Sequence, residues 1–149
     1  MDSADSMPAA DPAFLAHFTD PLYQDRGDEL APFGSDEGSD MLSEWADHTE
    51  QLTSATSLQE FLQLNDLAGI DGNLGKPRKA PRIPIPVPGG HIDAATQIVS
   101  SAFTLLYYTG QIDPAGRELA VRALDVEIAY YDSPAVLLKQ RADLESWPS

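Results

Sequence analysis

The chain contains no cysteine. That excludes disulfides, thiolate zinc sites and cysteine nucleophiles, and it fits a reducing compartment. There is no run of about 18 apolar residues, the length a membrane span needs. Nor does an apolar stretch follow the acidic opening MDSADSMPAADP. A cytoplasmic protein with no membrane span and no secretory leader is therefore expected. Common catalytic signatures are missing too: H-E-x-x-H, G-x-G-x-x-G and G-x-x-x-x-G-K-[ST] do not occur. Positive charge is nearly absent from the first half. Residues 1–75 carry 16 acidic residues and one base, Arg26, whereas residues 76–149 carry 8 of each. The whole net charge of −15 thus sits in the first half. Nucleic-acid binding runs on cationic neutralisation of phosphates, so this chain is not expected to bind it. A basic protein is the electrostatic match.

What is present supports a folded core: 42% of the 149 residues are hydrophobic. Residues 1–10 are small, polar and acidic and read as a disordered tail. Residues 11–149 read as a single helical domain. Asp11-Pro12 starts a short helix that brings Phe14, Leu15 and Phe18 to the core. Glycines and Pro32 punctuate residues 24–38 as a loop. A helix then runs from about Asp36 or Ser39 to Leu52, with Met41, Leu42, Trp45 and Leu52 on one face. Asp36, Glu37 and Asp40 lie near its start, where carboxylates favour the macrodipole. Ser57 and Glu60 form a capping box for a helix through Leu64. Residues 65–75 turn.

The segment 76–90, KPRKAPRIPIPVPGG, holds 4 of the 9 bases and 5 prolines. It reads as an extended basic loop, because proline forbids the helix interior. A C-terminal three-helix unit follows. The first helix spans 92–109 and ends at Gly110. The second opens on Asp113-Pro114 and carries Leu119, Ala120, Ala123, Leu124, Ile128 and Tyr131. The third opens on Ser133-Pro134 and carries Leu137, Leu138 and Leu144. The short loops make neighbours antiparallel. The fold class is all-α, a small helical bundle.

The stretch DRGDELAPFGSDEGSD concentrates 6 acidic residues between Asp25 and Asp40. As an EF-hand, Gly38 and Glu44 would fill positions 6 and 12, but the anchoring position 1 falls on Phe33. Asp36, Glu37 and Asp40 remain as hard oxygen donors for a non-standard divalent ion. Asp40, Glu44, Asp47 and His48 share one helix face, and Glu44 with His48 has a chelating spacing. A solvated polar face opposite Trp45 accounts for the same pattern. Gly34-Ser35-Asp36-Glu37-Gly38 is no nucleophile elbow, because its first glycine adjoins the serine. His17, His48 and His91 lack partner motifs. Of the tyrosine pairs 107/108 and 130/131, adjacent rings point about 100° apart on a helix, so one can enter the core while the other faces out.

The same acidic stretch resembles a set of bacterial proteins of undescribed activity, the YfeS-like family, whose loop reads roughly APFGxDxGxDxL. The matching residues are Ala31, Pro32, Phe33, Gly34, Asp36, Gly38, Asp40 and Leu42. TQIVSSAFTLLYYTGQIDPAGRELAVRALDVE resembles the family's second block. That block is a helix, a G-x-I-D turn (Gly110, Ile112, Asp113) and a helix with Leu119, Ala120 and Ala123. The resemblance implies a small bacterial domain. It transfers no catalytic residue and no cofactor.

The sequence therefore favours a non-enzymatic protein-binding domain, of the kind represented by toxin-neutralising immunity proteins and regulatory adaptors. Its expected docking face is Asp25, Asp28, Glu29, Asp36, Glu37, Asp40, Glu44 and Asp47. In this loop Phe33 should plug the core, Gly34 and Gly38 should permit positive φ or close approach, and Asp36 and Asp40 should cap the helix. Two alternatives stay open. One is a metal-dependent enzyme or metal-binding protein using the loop carboxylates. The other is a structural subunit, homo-oligomers included, with Tyr108 or Tyr131 buried between chains.

Overall fold

The computed structural model describes residues 8–74 and 89–148. The chain is all-α: among the described residues every regular element is helical. The order is α1 (Pro12–His17), a 3-10 turn (Pro21–Gln24), α2 (Asp36–Trp45), a 3-10 turn (Thr49–Gln51) and α3 (Leu58–Leu64). A 3-10 turn (Ile70–Leu74) follows, then α4 (Gly89–Thr109), α5 (Pro114–Tyr130) and α6 (Ala135–Glu145). The basic segment is expected over 76–90. Its residues 76–88 lie outside the described residues, and Gly89 and Gly90 already belong to α4.

α4 is the axis of the molecule. It packs against α2, α3, α5 and the turn at 70–74, while α6 packs on α5. Its sequence explains the position. From Ala94 to Tyr107 it is buried on most sides, and Ala95, Ile98, Ala102, Phe103, Leu105 and Leu106 are fully enclosed. A helix apolar all round belongs inside. No described helix is long and apolar enough to cross a membrane.

Side-chain caps set where the helices begin. Asp11 accepts from the Ala13 N–H at 2.9 Å, and Pro12 opens α1. Ser57 and Glu60 make both bonds of the capping box. Asp113 does double duty: Oδ2 accepts from the Gly116 N–H at 3.1 Å and Oδ1 from the Leu58 N–H at 2.8 Å. One carboxylate therefore caps α5 and ties it to the start of α3. Gly110 takes φ +67° past the end of α4, and a Cβ there would meet the Asp11 carboxylate at 2.3 Å.

Several expected boundaries shift. Of the tail expected over 1–10, residues 1–7 lie outside the described residues; residues 8–10 are held in place, because the Pro8 carbonyl accepts from the Tyr107 hydroxyl and Ala10 packs on the core. α2 stops at Trp45 instead of Leu52. Between Trp45 and Leu52 the run Asp47–Gln51 offers no large apolar side chain to hold a helix against the core. The chain tightens there into the 3-10 turn and still delivers Leu52 inside. At α6 the cap is Pro134, without a side-chain bond, and Ser133 does not cap. Asp132 and Ser133 instead take φ +62° and +58°, which reverses the chain in two residues.

Leu15, Leu138 and Tyr131, all expected inside, are 49%, 46% and 41% exposed. Leu15 and Leu138 each adjoin a residue that takes the inward position, and Tyr131 lies at the C-cap of α5, past its buried stripe. Phe14 takes the inward position in α1, with Phe18 at its C-cap, and Leu137 and Leu144 take it in α6. The aromatic contacts from Phe14 and Phe18 to Tyr23, Phe33, Phe103, Tyr107 and Trp147 close the core at this end.

Candidate functional site

The acidic loop is an ordered scaffold. The Asp25 carboxylate accepts from the N–H groups of Gly27 and Asp28, at 2.8 and 3.1 Å, and Asp28 accepts from Leu30 at 2.9 Å. Such side-chain-to-backbone bonds shape turns. Phe33 is fully buried and stacks edge-on with Tyr107 at 5.1 Å, so it anchors the loop as its apolar character suggests. Gly34 and Gly38 serve close approach. A Cβ on Gly34 would sit 2.0 Å from the Asp28 carbonyl oxygen, and one on Gly38 would sit 1.8 Å from that of Pro32.

The cap of α2 is a correction to the sequence reading. Ser35, not Asp36 or Asp40, accepts from the Gly38 N–H at 3.0 Å. Asp36 and Glu37 occupy the first turn with exposed side chains. The loop is pinned from two sides. Arg26 donates to the Ser39 hydroxyl at 2.7 Å, and the Gln140 amide of α6 donates to the Leu30 carbonyl at 2.7 Å. The Tyr108 hydroxyl donates to the Leu42 carbonyl, which commits that tyrosine within its own chain.

α2 turns Met41, Leu42 and Trp45 inward and leaves Asp36, Glu37, Asp40 and Glu44 exposed, and Asp47, just past its end, is exposed as well. Of the eight candidate docking residues, Asp25 and Asp28 thus shape the loop, while Glu29 and the five on and after α2 face solvent. Asp36, Glu37, Asp40 and Glu44 line one open depression of about 410 Å³ with Asn65 and Gln97. Among the described residues no group of three His, Asp or Glu side chains is arranged to hold a metal ion, Asp36, Glu37 and Asp40 included. His48 opens the 3-10 turn. The His17 Nε2 lies 2.7 Å from the Asp143 carbonyl and its ring packs edge-on against Trp147 at 5.0 Å, a structural placement. Asp143 itself accepts from Tyr23 Oη at 2.7 Å and Lys139 Nζ at 2.9 Å. Burial, followed by this carboxylate, drives the Tyr23 hydroxyl well above the ordinary tyrosine range.

A second cleft adjoins the first at Asp36 and Glu37. It has a volume of about 320 Å³ and lies between the loop, the start of α2, the first half of α4 and the end of α5. Its inner wall contains Ala31, Val99, Ser100 and Glu127, all buried, and its rim contains Glu29, Asp36, Glu37, Asp93, Tyr130 and Tyr131. Glu127 is the feature that sequence reading passed over. It is 6% exposed, and among the described residues its Oε1 has no hydrogen-bond partner. Desolvation first, then the nearby Glu37 charge, pushes its carboxyl up to about 8. Tyr130 and Tyr131 stand edge-to-face at 4.8 Å beside it. Burial, then Glu127, raises the Tyr131 hydroxyl as well.

No protein-family model matches this chain. A stretch of 32 residues is 62% identical to "Uncharacterized protein YfeS" of Escherichia coli (strain K12). That stretch is 22% of this chain and spans 13% of the length of YfeS. No solved structure matches.

Proposed function

We propose that this chain is a non-enzymatic acidic binding domain of the YfeS-like family, whose α2 face docks a basic protein partner in the cytoplasm. One observation carries the reading. A helix seated by Met41, Leu42 and Trp45 turns Asp36, Glu37, Asp40 and Glu44 to solvent around one depression, and Asp47 just past its end is exposed too. Preplaced charge of one sign steers an oppositely charged partner and speeds its association. The functional class is that of an immunity protein that neutralises a basic toxin, or of an adaptor with a basic client. A metal-dependent enzyme needs converging donors, and the carboxylates of α2 are spread along its face instead.

The test uses octa-arginine as the basic probe. Asp40, Glu44 and Asp47 are changed together to Lys in one variant, and Glu50, Asp71 and Glu118 in a control of identical net charge. The α2 variant should lose about tenfold or more in affinity at low salt, the control much less. Equal losses would mean that net charge alone binds the probe, and the docking face would fall. For the metal-dependent alternative, the midpoint of dialysed protein should be the same in EDTA and in excess Ca²⁺, Mg²⁺, Mn²⁺ or Zn²⁺; a saturable rise lost in Asp36→Ala would restore that reading.

A further inference from the structure

The cleft between the acidic loop and the end of α5 has features that a docking face does not need. A solvated acidic patch works with exposed carboxylates. Here one carboxyl, Glu127, is withdrawn into the wall, 6% exposed, with Oε1 unpartnered among the described residues. Buried polar atoms are satisfied in the great majority of cases, so an orphan beside a cavity marks a missing partner. The partner should be cationic. Among the described residues the titratable groups around Glu127 are Glu37 and Asp36 on α2, Glu29 on the loop, Asp93 on α4, and Tyr130 and Tyr131 on α5, and none of the described lining residues is a base. Two phenol rings at the rim suit an organic cation, which the faces of aromatic rings attract. A bare divalent ion would need several converging carboxylates, and no such group of three exists among the described residues.

We infer that this cleft is a binding site for one guanidinium or ammonium head group, with Glu127 as its buried counter-ion and Tyr130 and Tyr131 flanking the entry. Two sources carry this chemistry, a free small cation and a Lys or Arg side chain of a docked protein. The second source rests on the binding function proposed above; the first does not. Binding is coupled to a proton. The empty site holds Glu127 as the neutral acid at neutral pH, because burial opposes its charge. An arriving cation stabilises the carboxylate, so the carboxyl O–H proton leaves to solvent and an ion pair takes its place. Charge balances: one cation enters and one proton departs.

The experiment titrates the full chain with methylguanidinium, methylammonium and octa-arginine in buffers of different ionisation enthalpy near neutral pH. The wild type should bind at least one probe with release of a substantial fraction of one proton. Glu127→Gln should weaken that binding by about tenfold or more and abolish the proton release, while its circular dichroism stays native. Tyr131→Ala should weaken binding without changing the proton count, and it checks the site independently of the buried residue. Binding of the free cations assigns a small-molecule source; binding of octa-arginine alone assigns a side-chain source. No binding by any probe, or binding without proton release, overturns the inference. Octa-arginine binding that is equal in wild type and Glu127→Gln, yet lost in the α2 triple variant, overturns the cleft and leaves the docking face standing.

Discussion

Glu127→Gln removes a titration while keeping the shape of the side chain, so it isolates what burying this carboxyl costs. The folded protein holds the carboxyl up to about 8, against an ordinary value of 4.5, because it is desolvated and faces Glu37. Asp36, Glu29, Asp93, Tyr130 and Tyr131 surround the same cleft, and none of them can supply positive charge. The sign follows from proton counting. Between 4.5 and about 8 the native state binds a proton that the unfolded state has released. Stability therefore falls as pH rises through that window, by up to about 1.4 kcal/mol per pH unit. By neutral pH the accumulated cost is about 3 kcal/mol, a large part of the margin of a domain this size.

The Gln variant has no such titration, so its stability relative to wild type should climb with pH. Urea unfolding of both proteins at a series of pH values measures it. The offset near pH 5 absorbs the extra amide N–H that Gln brings, so the slope is the readout. Near neutral pH the variant should exceed that offset by about 2–3 kcal/mol, and the gain should level off above about pH 8. A difference that stays flat across this range would show that Glu127 ionises normally in the native protein. The reasoning about its burial would then fail.

Asp113→Ala should cost about 2–3 kcal/mol in chemical denaturation, because one carboxylate caps α5 and also bonds the Leu58 N–H. Asp113→Asn should recover much of that loss. Gly38→Ala should destabilise by more than about 2 kcal/mol, since its Cβ would meet a backbone carbonyl at 1.8 Å; a neutral result would show that the loop yields easily. Tyr23→Phe should cost about 1–2 kcal/mol by removing a donor from the buried Asp143, and a loss below half that would reassign the bond to packing alone.

The helices were legible wherever a cap and an apolar period agreed. Asp11-Pro12, Ser57 with Glu60, and Asp113-Pro114 each start a helix as their chemistry predicts. The loop was legible in part. Phe33 stood out as apolar among charges, and Gly34 and Gly38 lie where close approach demands glycine. The identity of the α2 cap was not legible, because Ser35, Asp36 and Asp40 are all competent capping types and only the path of the chain selects one. The end of α2 was misjudged for a related reason. Leu52 keeps helical phase with Trp45, but phase does not show that the chain between them turns.

Glu127 did leave a trace. Ala120, Ala123 and Leu124 form the inward stripe of α5, and residue 127 is the next position on that stripe. A glutamate there reads at first as a break in the period. The structure makes it a buried acid instead. Leu or Met at this place would extend the stripe, fill the wall beside Val99 and spare the desolvation of a carboxyl. On stability alone the glutamate is the worse choice by a few kcal/mol near neutral pH. A position that breaks local consistency at such a cost, on the wall of a cleft rimmed by carboxylates and two tyrosines, is where a ligand's contribution would offset the deficit. The stability measurement and the cation titration therefore probe the same free energy from opposite sides. Whatever the buried carboxyl costs the empty protein is recovered in part when a cation pairs with it, and Glu127→Gln should abolish both effects together.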